Sequence, residues 1–502
     1  MCGRIYDWRA RDAFDGVSGR CGNSRPALND YAPFSKTSLA AIPRHRTRLA
    51  LLVILLNAFD PACPGEAALI LRTQEKPLAE VPTTADLAHV QSSQDQRHVA
   101  FPVRRNGRWV MSVDGREGQP YEKVFQPAWS SNGQHMAYAV SGEDGCYVIT
   151  DGKPGKAYES IHEKYLRFTP QGEVVYDASG ANTVFVVRGD RELTSHEFIP
   201  RAKDIDPTTL RLSPDGTHIS YVVIAPGEQR VIIDGKAEPP QQVVSGGGVW
   251  FSPDGRQSVY AFHKDKKSYL VLNGKQRPEV YEGIAPLGSL LPGESYSPFS
   301  PDSRHLVFVA FTLTNERKQC VVFDHQPGKH YGGIGANSIV FSPDSKRWAY
   351  YAKDSAGLRV VLDGEEQPSF DAVQKGSLVF SPDSSQFAYI AAREGTHYLV
   401  LNGKEQAIPG LLPMPPVFSP NGKHLVYVRA VEGKLFLVAG EAESKPYELV
   451  KHPLGDLFFG NWRVVFDTAN TFHFIGGRFN EAFAYELFLG EGELLEAAPL
   501  AR

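Results

Sequence analysis

The sequence has few cysteines, and they form no recognisable metal site or disulfide framework. Of the five, Cys2, Cys21 and Cys63 precede the region in which the chain becomes repetitive, and only Cys146 and Cys320 lie within it. Their spacing matches neither a zinc motif nor a set of paired bridges. We therefore expect two isolated thiols in the repetitive region and no metal.

An excess of basic charge is also lacking. The chain carries 53 Lys and Arg against 57 Asp and Glu, a net charge of −4. Residues 1–67 hold nine of the basic and six of the acidic side chains, so the remainder has a net charge of −7. Because phosphate neutralisation needs a basic face, this composition argues against a nucleic-acid partner.

The sequence lacks the common catalytic signatures. There is no Gly-x-Ser-x-Gly, no Gly-x-Gly-x-x-Gly, no Walker loop and no His-Glu-x-x-His. The one glycine cluster, Ser245 to Gly248, precedes a predicted strand and not a helix, so we interpret it as a flexible loop. The absence of these motifs favours a protein without intrinsic catalysis, and no cofactor is predicted.

No apolar run is long enough to predict a stable membrane span. The run Leu49 to Leu56 is too short for a bilayer, and it follows the basic flank Arg44 to Arg48. A basic flank, a short apolar core and small residues near Ala67 are typical of a secretory signal. We therefore assign 1–67 to a leader outside the fold and 68–502 to the folded region.

This leader predicts a periplasmic or secreted protein. Asp60-Pro61-Ala62 before Cys63 does not suit lipid attachment, so lipid anchoring is not expected. The 43 residues before the basic flank are long for a signal, which suggests a translation start further downstream. The alternative is a disordered leader on a cytoplasmic protein.

A recurring turn is the main feature that the sequence does contain. Phe-Ser-Pro-Asp and its variants recur 37 to 48 residues apart, at Ser93, Ser130, Thr169, Ser213, Ser252, Ser300, Ser342, Ser381 and Ser419. Proline presets φ for a turn, and aspartate can bond nearby backbone N–H groups. Periodicity on this scale predicts a repeat architecture.

A second turn recurs in the same register. It is a two-residue Asp-Gly or Asn-Gly hairpin turn, at Asp114, Asp151, Asp234, Asn273, Asp363 and Asn402, with Asp324-His325 as a degenerate copy. The unit from Gly376 to Gly410 then contains four short strands in about 40 residues, which is one blade of a β-propeller. The predicted fold is therefore all-β.

An aromatic residue recurs eight positions after the first turn. The series is Phe101, Tyr138, Tyr221, Tyr260, Phe308, Tyr350, Tyr389 and Tyr427. One aromatic side chain per blade at one strand position predicts packing between neighbouring blades.

These turns resemble the TolB-like, or WD40-like PD40, propeller repeat of bacterial proteins. The matching Phe-Ser-Pro-Asp segments stand at 251–254, 299–302, 341–344 and 380–383, and the resemblance spans roughly residues 88–490. It implies a β-propeller that is often exported and that often binds other proteins. The sequence departs from TolB in one respect, since no TolB-type N-terminal α/β domain is visible in it.

The number of blades follows from the count of turns and of strand-like segments. Nine turns and an eroded unit from Trp462 to Gly490 give about ten units. Leu69 to Leu71 and Glu80-Val81 are strand-like and would complete the last blade. We favour one wide ring, with two tandem propellers as the alternative and Pro286 to Gly293 as the candidate junction.

Two polar series follow the repeat. His98, His135, His218, His305 and His424 stand five residues after the turn serine, and Asp95, Asp215, Asp254, Asp302, Asp344 and Asp383 stand two residues after it. Because a catalytic site is built once, repetition predicts a structural role for both. The alternative for the histidines is a rim that binds a metal or responds to pH.

Residues that interrupt the repeat are better candidates for function. We select a segment with His325, Lys329, His330 and Tyr331, and a basic segment with Lys264, Lys266 and Lys267. Both are predicted to lie in loops that bind a partner.

The leading hypothesis is a non-catalytic extracytoplasmic propeller, a monomer that binds a protein or glycan partner through its blade loops. The rival is a propeller enzyme of lyase or glycosidase type, with a His/Asp/Glu or metal site at the central channel. A third possibility, a cytoplasmic interaction hub, requires that the leader is not a signal.

Overall fold

The structure, a computed structural model, contains ten antiparallel sheets arranged as one ring. It describes residues 69–86, 89–162, 166–180, 183–194, 204–225, 227–245, 248–287, 297–312, 318–335, 338–448, 463–479 and 485–496. These residues contain no α-helix, and none forms a helix that could span a membrane. The chain is therefore a ten-bladed β-propeller, as predicted, and the single ring is confirmed.

The first five blades follow one another along the chain. Blade 1 consists of β2 (Gln91–Ser92), β3 (Val99–Arg105), β4 (Arg108–Val113) and β5 (Arg116–Glu117). Blade 2 consists of β6 (Lys123–Val124), β7 (Ala128–Trp129), β8 (Met136–Gly142), β9 (Gly145–Thr150) and β10 (Lys153–Pro154). Blade 3 consists of β11 (Ser160–Ile161), β12 (Arg167–Phe168), β13 (Val174–Gly180), β14 (Thr183–Arg188) and β15 (Arg191–Thr194). Blade 4 consists of β16 (Asp204–Leu212), β17 (Ile219–Ala225), β18 (Glu228–Ile233) and β19 (Lys236–Ala237). Blade 5 consists of β20 (Val243–Val244), β21 (Trp250–Phe251), β22 (Ser258–Lys264), β23 (Lys267–Leu272) and β24 (Lys275–Tyr281).

The last five blades continue the series, and the tenth includes the first strand of the chain. Blade 6 consists of β25 (Gly283–Ile284), β26 (Val307–Phe311), β27 (Gln319–Phe323) and β28 (Gln326–Pro327). Blade 7 consists of β29 (Gly333–Ile334), β30 (Val340–Phe341), β31 (Trp348–Asp354), β32 (Gly357–Leu362) and β33 (Glu365–Phe370). Blade 8 consists of β34 (Ala372–Val373), β35 (Val379–Phe380), β36 (Phe387–Arg393), β37 (Thr396–Leu401) and β38 (Lys404–Ile408). Blade 9 consists of β39 (Val417–Phe418), β40 (Leu425–Val431), β41 (Lys434–Ala439), β42 (Ala442–Glu443) and β43 (Tyr447–Glu448). Blade 10 consists of β44 (Val465–Phe466), β45 (Thr471–Phe479), β46 (Tyr485–Glu496) and β1 (Leu69–Val81).

Each blade has two ends that differ in their connections. Since its strands are antiparallel, the serine turn between strands one and two and the Asp-Gly turn between strands three and four lie at the same end. We call this end of the ring the turn face. The hairpin between strands two and three and the link to the next blade lie at the other end, which we call the hairpin face.

The inner strand of most blades is interrupted. In blade 8, for example, Val373 pairs with Ala391 and Val379 pairs with Ala388, with unpaired residues between them. The outermost strands, such as β24 and β38, are largely exposed, whereas the innermost strands, such as β34 and β35, are mostly half-buried or buried. The interrupted strands therefore surround the axis of the ring, and the interruption was not predicted from the sequence.

The core lies between the blades. The largest fully buried side chains include Tyr221, Tyr260, Tyr389, Phe101 and Phe308, all members of the predicted aromatic series. Burial raises the pKa of Tyr221 and of Tyr389 to about 12. The predicted role of this series in packing is confirmed.

The ring closes with β1, the first strand that the structure describes. β1 pairs antiparallel with β46, from Leu69 opposite Glu496 to Val81 opposite Tyr485, and forms the outer strand of blade 10. This confirms the predicted role of the strand-like segments before the first turn. The two-propeller alternative is wrong, because blades 5 and 6 pack directly through a cluster that includes Val259, Ile284 and Phe308. Most of the candidate junction, residues 288–293, and the whole leader lie outside the described residues.

Candidate functional site

The serine turns are internally bonded. In blade 4 the Ser213 hydroxyl donates to Asp215 at 2.5 Å and accepts from the His218 N–H at 2.9 Å. The bond from Ser213, with those from the Thr217 N–H and hydroxyl, lowers the pKa of Asp215 to about 2. The predicted structural role of the aspartate series is confirmed for this turn, and Ser252, Ser300, Ser342 and Ser381 donate to their own aspartates in the same way.

The repeated histidines bind the other turn of their own blade. Nδ1 lies 2.6 to 2.7 Å from the aspartate that begins the Asp-Gly turn or its degenerate copy, in the pairs His98–Asp114, His135–Asp151, His218–Asp234 and His305–Asp324. Several of the rings also stack on the next blade, as His98 does on Trp129. The predicted structural role is confirmed for these four. Within the described residues no group of three or more His, Cys, Asp or Glu side chains could hold a metal ion.

The two predicted binding segments lie in adjacent blades but do not form one site. Lys264, Lys266 and Lys267 form an exposed hairpin on the hairpin face of blade 5. His325 lies at the turn face of blade 6, where its Nε2 is 3.1 Å from Arg277 Nη2. The structure therefore separates His325 from the basic hairpin.

Lys329 and Tyr331 belong to the repeat. The Lys329 ammonium and the Tyr331 hydroxyl bond Glu366 of blade 7 at 2.6 and 2.8 Å. Lys156, Tyr158 and Glu192 make the same contacts between blades 2 and 3. These side chains connect neighbouring blades, whereas His330 between them is exposed.

A histidine–aspartate pair in blade 3, with the aspartate buried, does not recur at this register in the other blades. Asp177 in β13 is fully buried, and its carboxylate contacts Nδ1 of His162, whose side chain is 45% exposed. The residues at the same register in the other nine blades are Pro102, Ala139, Val222, Ala261, Val309, Tyr351, Ile390, Val428 and Ile475. A charged side chain at a core position, in one blade of ten, is a feature that the repeat does not explain.

His162 is one of three polar residues at the same level of consecutive inner strands. The backbone N–H of His162 donates to the carbonyl oxygen of Asp177, and the backbone N–H of Ser245 donates to that of Ala261. Asp206 lies opposite Val222, which stands at the same register as Asp177 and Ala261. We call His162, Asp206 and Ser245 the polar arc. Phe125 and Ala285 hold this position in blades 2 and 6, which flank the arc.

Ser245 belongs to a side-chain network within blade 5. Its Oγ lies 2.9 Å from His263 Nε2, and the Ser268 Oγ lies 2.7 Å from His263 Nδ1. Ser268 is fully buried, and burial lowers the pKa of His263. The imidazole is therefore neutral at pH 7, with one donor and one acceptor nitrogen.

Sequence reasoning missed the polar arc and the residues bonded to it. A signal for Asp177 was present, since the turn that begins at Thr169 is one residue shorter than its homologues and Tyr176 falls at the aromatic position. No signal linked Ser245 to His263, because their contact depends on strand register.

A cleft of about 490 Å³ lies in blade 10 beside the closing strand. Its walls include Arg72, Asp467 and Glu491. Glu491 bonds Lys76 and Gln74, and the Lys76 ammonium is the main cause of the lowered pKa of Glu491. These charges serve the closure of the ring.

Comparisons with known proteins yield similarity of fold alone. No protein-family model matches the sequence, and no curated protein matches it. TolB from Acinetobacter baumannii is 12% identical with a TM-score of 0.21, covering 74% of this chain and 76% of that chain. The β-propeller domain of the trilobed protease from Pyrococcus furiosus is 14% identical with a TM-score of 0.26, covering 67% of this chain and 98% of that chain. Oligogalacturonate lyase from Vibrio parahaemolyticus is 9% identical with a TM-score of 0.26, covering 65% of this chain and 96% of that chain. Similarity at this level gives no evidence about function.

Proposed function

We propose that this chain is an extracytoplasmic binding scaffold that docks an acidic segment of a partner protein on the hairpin face of blade 5. The observation that carries the proposal is the basic hairpin formed by Lys264, Lys266 and Lys267. All three side chains are exposed, and within the described part of the chain none of their ammonium groups makes an ion pair.

Two arginines of other blades, one at a hairpin and one in the strand before it, are neutralised within their own blades. Arg105 pairs with Glu117 at 2.6 Å, and Arg429 pairs with Glu443 at 2.6 Å. The basic hairpin instead presents three lysines and one aspartate, Asp265, and so carries a net positive charge on a body of net negative charge. Complementary charge steers encounter and selects partners, so an acidic surface is the fitting counterpart.

Exposed apolar side chains accompany the lysines. Val243 and Val280 of blade 5 are 46% and 53% exposed, and they are among the few large apolar side chains so exposed in the described residues. Apolar contact area beside a charged rim is the usual composition of a protein interface. Among the residues that the structure describes, none of the strongly exposed large apolar side chains is aromatic. This favours a polypeptide over a glycan, since sugars are commonly bound by stacking on aromatic rings.

The test uses a fluorescent peptide of twelve glutamates and measures its binding by anisotropy at low and at physiological salt. The charge-reversed variant K264E/K266E/K267E is compared with K153E/K236E/K275E, which reverses three exposed lysines on the turn face. Since each exposed ion pair contributes up to about 1 kcal/mol, loss of three should weaken binding roughly tenfold or more. The control variant should bind nearly as well as the unaltered chain.

If the two variants lose affinity for the peptide equally, binding depends only on the net charge of the chain, and the proposal is overturned. Binding of a neutral oligosaccharide at the same hairpin, with no binding of the peptide, would overturn it in favour of a glycan partner.

A further inference from the structure

We infer that Ser245 is a nucleophile activated by His263, and that blade 5 reacts with small carboxylic esters at this serine. The inference does not depend on the docking proposal. It rests on a side-chain network that the scaffold function does not use.

The geometry is that of a nucleophile, a base and an orienting group. Ser245 Oγ lies 2.9 Å from His263 Nε2, and His263 Nδ1 lies 2.7 Å from the Ser268 Oγ. When Nδ1–H donates to Ser268, the free electron pair of Nε2 accepts from the Ser245 hydroxyl. Nucleophile and base within hydrogen-bond reach, with the base held by a third group, are the structural signature of nucleophilic catalysis.

The environment of His263 supports this assignment. Burial lowers the pKa of the imidazole, which keeps the ring neutral and its acceptor nitrogen available at neutral pH. Ser268 is fully buried, and within the described residues its hydroxyl bonds His263 alone. Ser268 is therefore a positioning residue that holds the ring.

The network of Ser245, His263 and Ser268 is specific to blade 5. The residues at the same register as His263 in the other nine blades are Arg104, Ser141, Ser179, Ile224, Phe311, Lys353, Ala392, Ala430 and Gly477. None is a histidine, so the imidazole of blade 5 does not serve the repeat.

Ser377 shows what a structural serine of the inner strand looks like. Its hydroxyl donates to the Gln374 carbonyl at 2.8 Å and accepts from the Ile390 N–H at 3.1 Å. The Ser245 hydroxyl, among the described residues, bonds the imidazole of His263 and no backbone group. Ser377 is thus a matched control that lacks a base.

The reaction is balanced by these groups and water. Oγ of Ser245 attacks the ester carbonyl carbon while its proton moves to Nε2 of His263. The C–O bond to the alcohol breaks and the alcohol leaves with that proton, which forms an acyl-serine. Water, deprotonated by the same nitrogen, then releases the carboxylic acid and restores the serine.

The experiment treats the full chain with a fluorophosphonate, which captures an activated serine by losing fluoride, and locates the label by peptide mass spectrometry. We expect one phosphonyl group per chain, on Ser245, and none in S245A or in heat-denatured protein. H263Q should label at least about a hundredfold more slowly, the size of a general-base contribution. S377A should label at the rate of the unaltered chain.

A second pair of variants tests Ser268. S268A should slow labelling, and S268T, which retains a hydroxyl, should restore it, whereas a purely packing role would make the threonine worse. If S268A fails to fold, the labelling of S245A and H263Q still tests the inference, since we expect both variants to keep the strands of blade 5. No label, a label on another serine, or an unchanged rate in H263Q would each overturn the inference.

Discussion

Arg97 of the first blade donates a hydrogen bond to Asp467 of the last blade at 2.5 Å, although 370 positions separate them in the chain. The same seam carries a bond from Arg463 to the carbonyl of Gln94 at 2.6 Å. Beneath these polar contacts lies a cluster that joins Val81 of the closing strand to residues of blades 1 and 10. The seam is therefore both packed and hydrogen-bonded.

Removal of the closing strand should destabilise the ring. A chain without residues 1–81 loses the burial of Val81, Ala79 and their partners, at about 1.5–3 kcal/mol for each large aliphatic side chain. We expect a loss of at least about 3 kcal/mol in chemical denaturation. A chain without residues 1–67 is the control and should unfold like the full chain, and a peptide of residues 69–81 should restore part of the loss. Equal stability of the two truncated chains would contradict the observed closure.

The first residue of each Asp-Gly turn should stabilise the fold through its side-chain oxygen acceptor more than through its negative charge. Asp234 Oδ1 accepts from the Ile219 N–H at 2.9 Å, and the other oxygen bonds His218. D234A leaves the buried N–H without a partner, and we expect a cost of about 1–3 kcal/mol. D234N should cost much less, because Asn273 and Asn402 make the same backbone bond in blades 5 and 8. Similar losses in both variants, measured by urea unfolding, would disprove this account.

Asp215 should make the turn of blade 4 sensitive to acid. Its pKa in the folded chain is about 2, below the ordinary value of 3.8, chiefly because the Ser213 hydroxyl donates to it. A lowered folded pKa means that the stabilisation is present above pH 3.8 and is lost as the pH falls towards 2. In S213A the pKa should move up towards its ordinary value, as NMR titration of the carboxyl carbon would show. An unchanged titration would refute the assigned cause.

Tyr331 should matter for stability and its neighbour His330 should not. Tyr331 is 2% exposed and bonds Glu366, whereas His330 is exposed. Replacing a buried aromatic side chain by alanine costs about 3–5 kcal/mol, so Y331A should lower the free energy of unfolding by that amount. Y331F should keep the packing yet raise the pKa of Glu366, which Lys329 and then the tyrosine hydroxyl hold below its usual range. A destabilising H330A would show that the two roles are wrongly assigned.

The signal-like leader leads to a simple prediction about the mature protein. If Arg44 to Leu56 directs export, the mature chain should begin near residue 68, one residue before the closing strand. N-terminal sequencing of protein from the natural host checks this. An intact leader on the functional protein would contradict export.

Repetition is what made the fold readable from sequence. Ser213 and Asp234 belong to turns copied in many blades, and each copy adds evidence that one position alone lacks. Leu69 and Val81 lie in strand-like segments with no blade of their own, and this predicts that the segments complete the last blade. The prediction that Lys329 and Tyr331 interrupt the repeat is wrong, since Lys156 and Tyr158 make the same contacts in another pair of blades.

The candidate sites were less predictable. Lys264, Lys266 and Lys267 were found from charge, which is local in sequence. The contacts of His162 with Asp177 and of Ser245 with His263 depend on an interruption of the inner strand, which shifts the register. Neither composition nor periodicity predicts such a shift in register, so these contacts are visible only in the structure.

The pairing of β1 with β46 also determines when the ring can close during synthesis. Lys76 and its partner Glu491 are 415 positions apart, so the first strand to leave the ribosome is the last to find its place. At 5–20 residues per second, that strand waits roughly 20 to 80 s for its partner. Throughout this interval blade 1 lacks the neighbour that covers Val99 and Phe101, and the nascent chain carries an open apolar flank that a chaperone would have to shield.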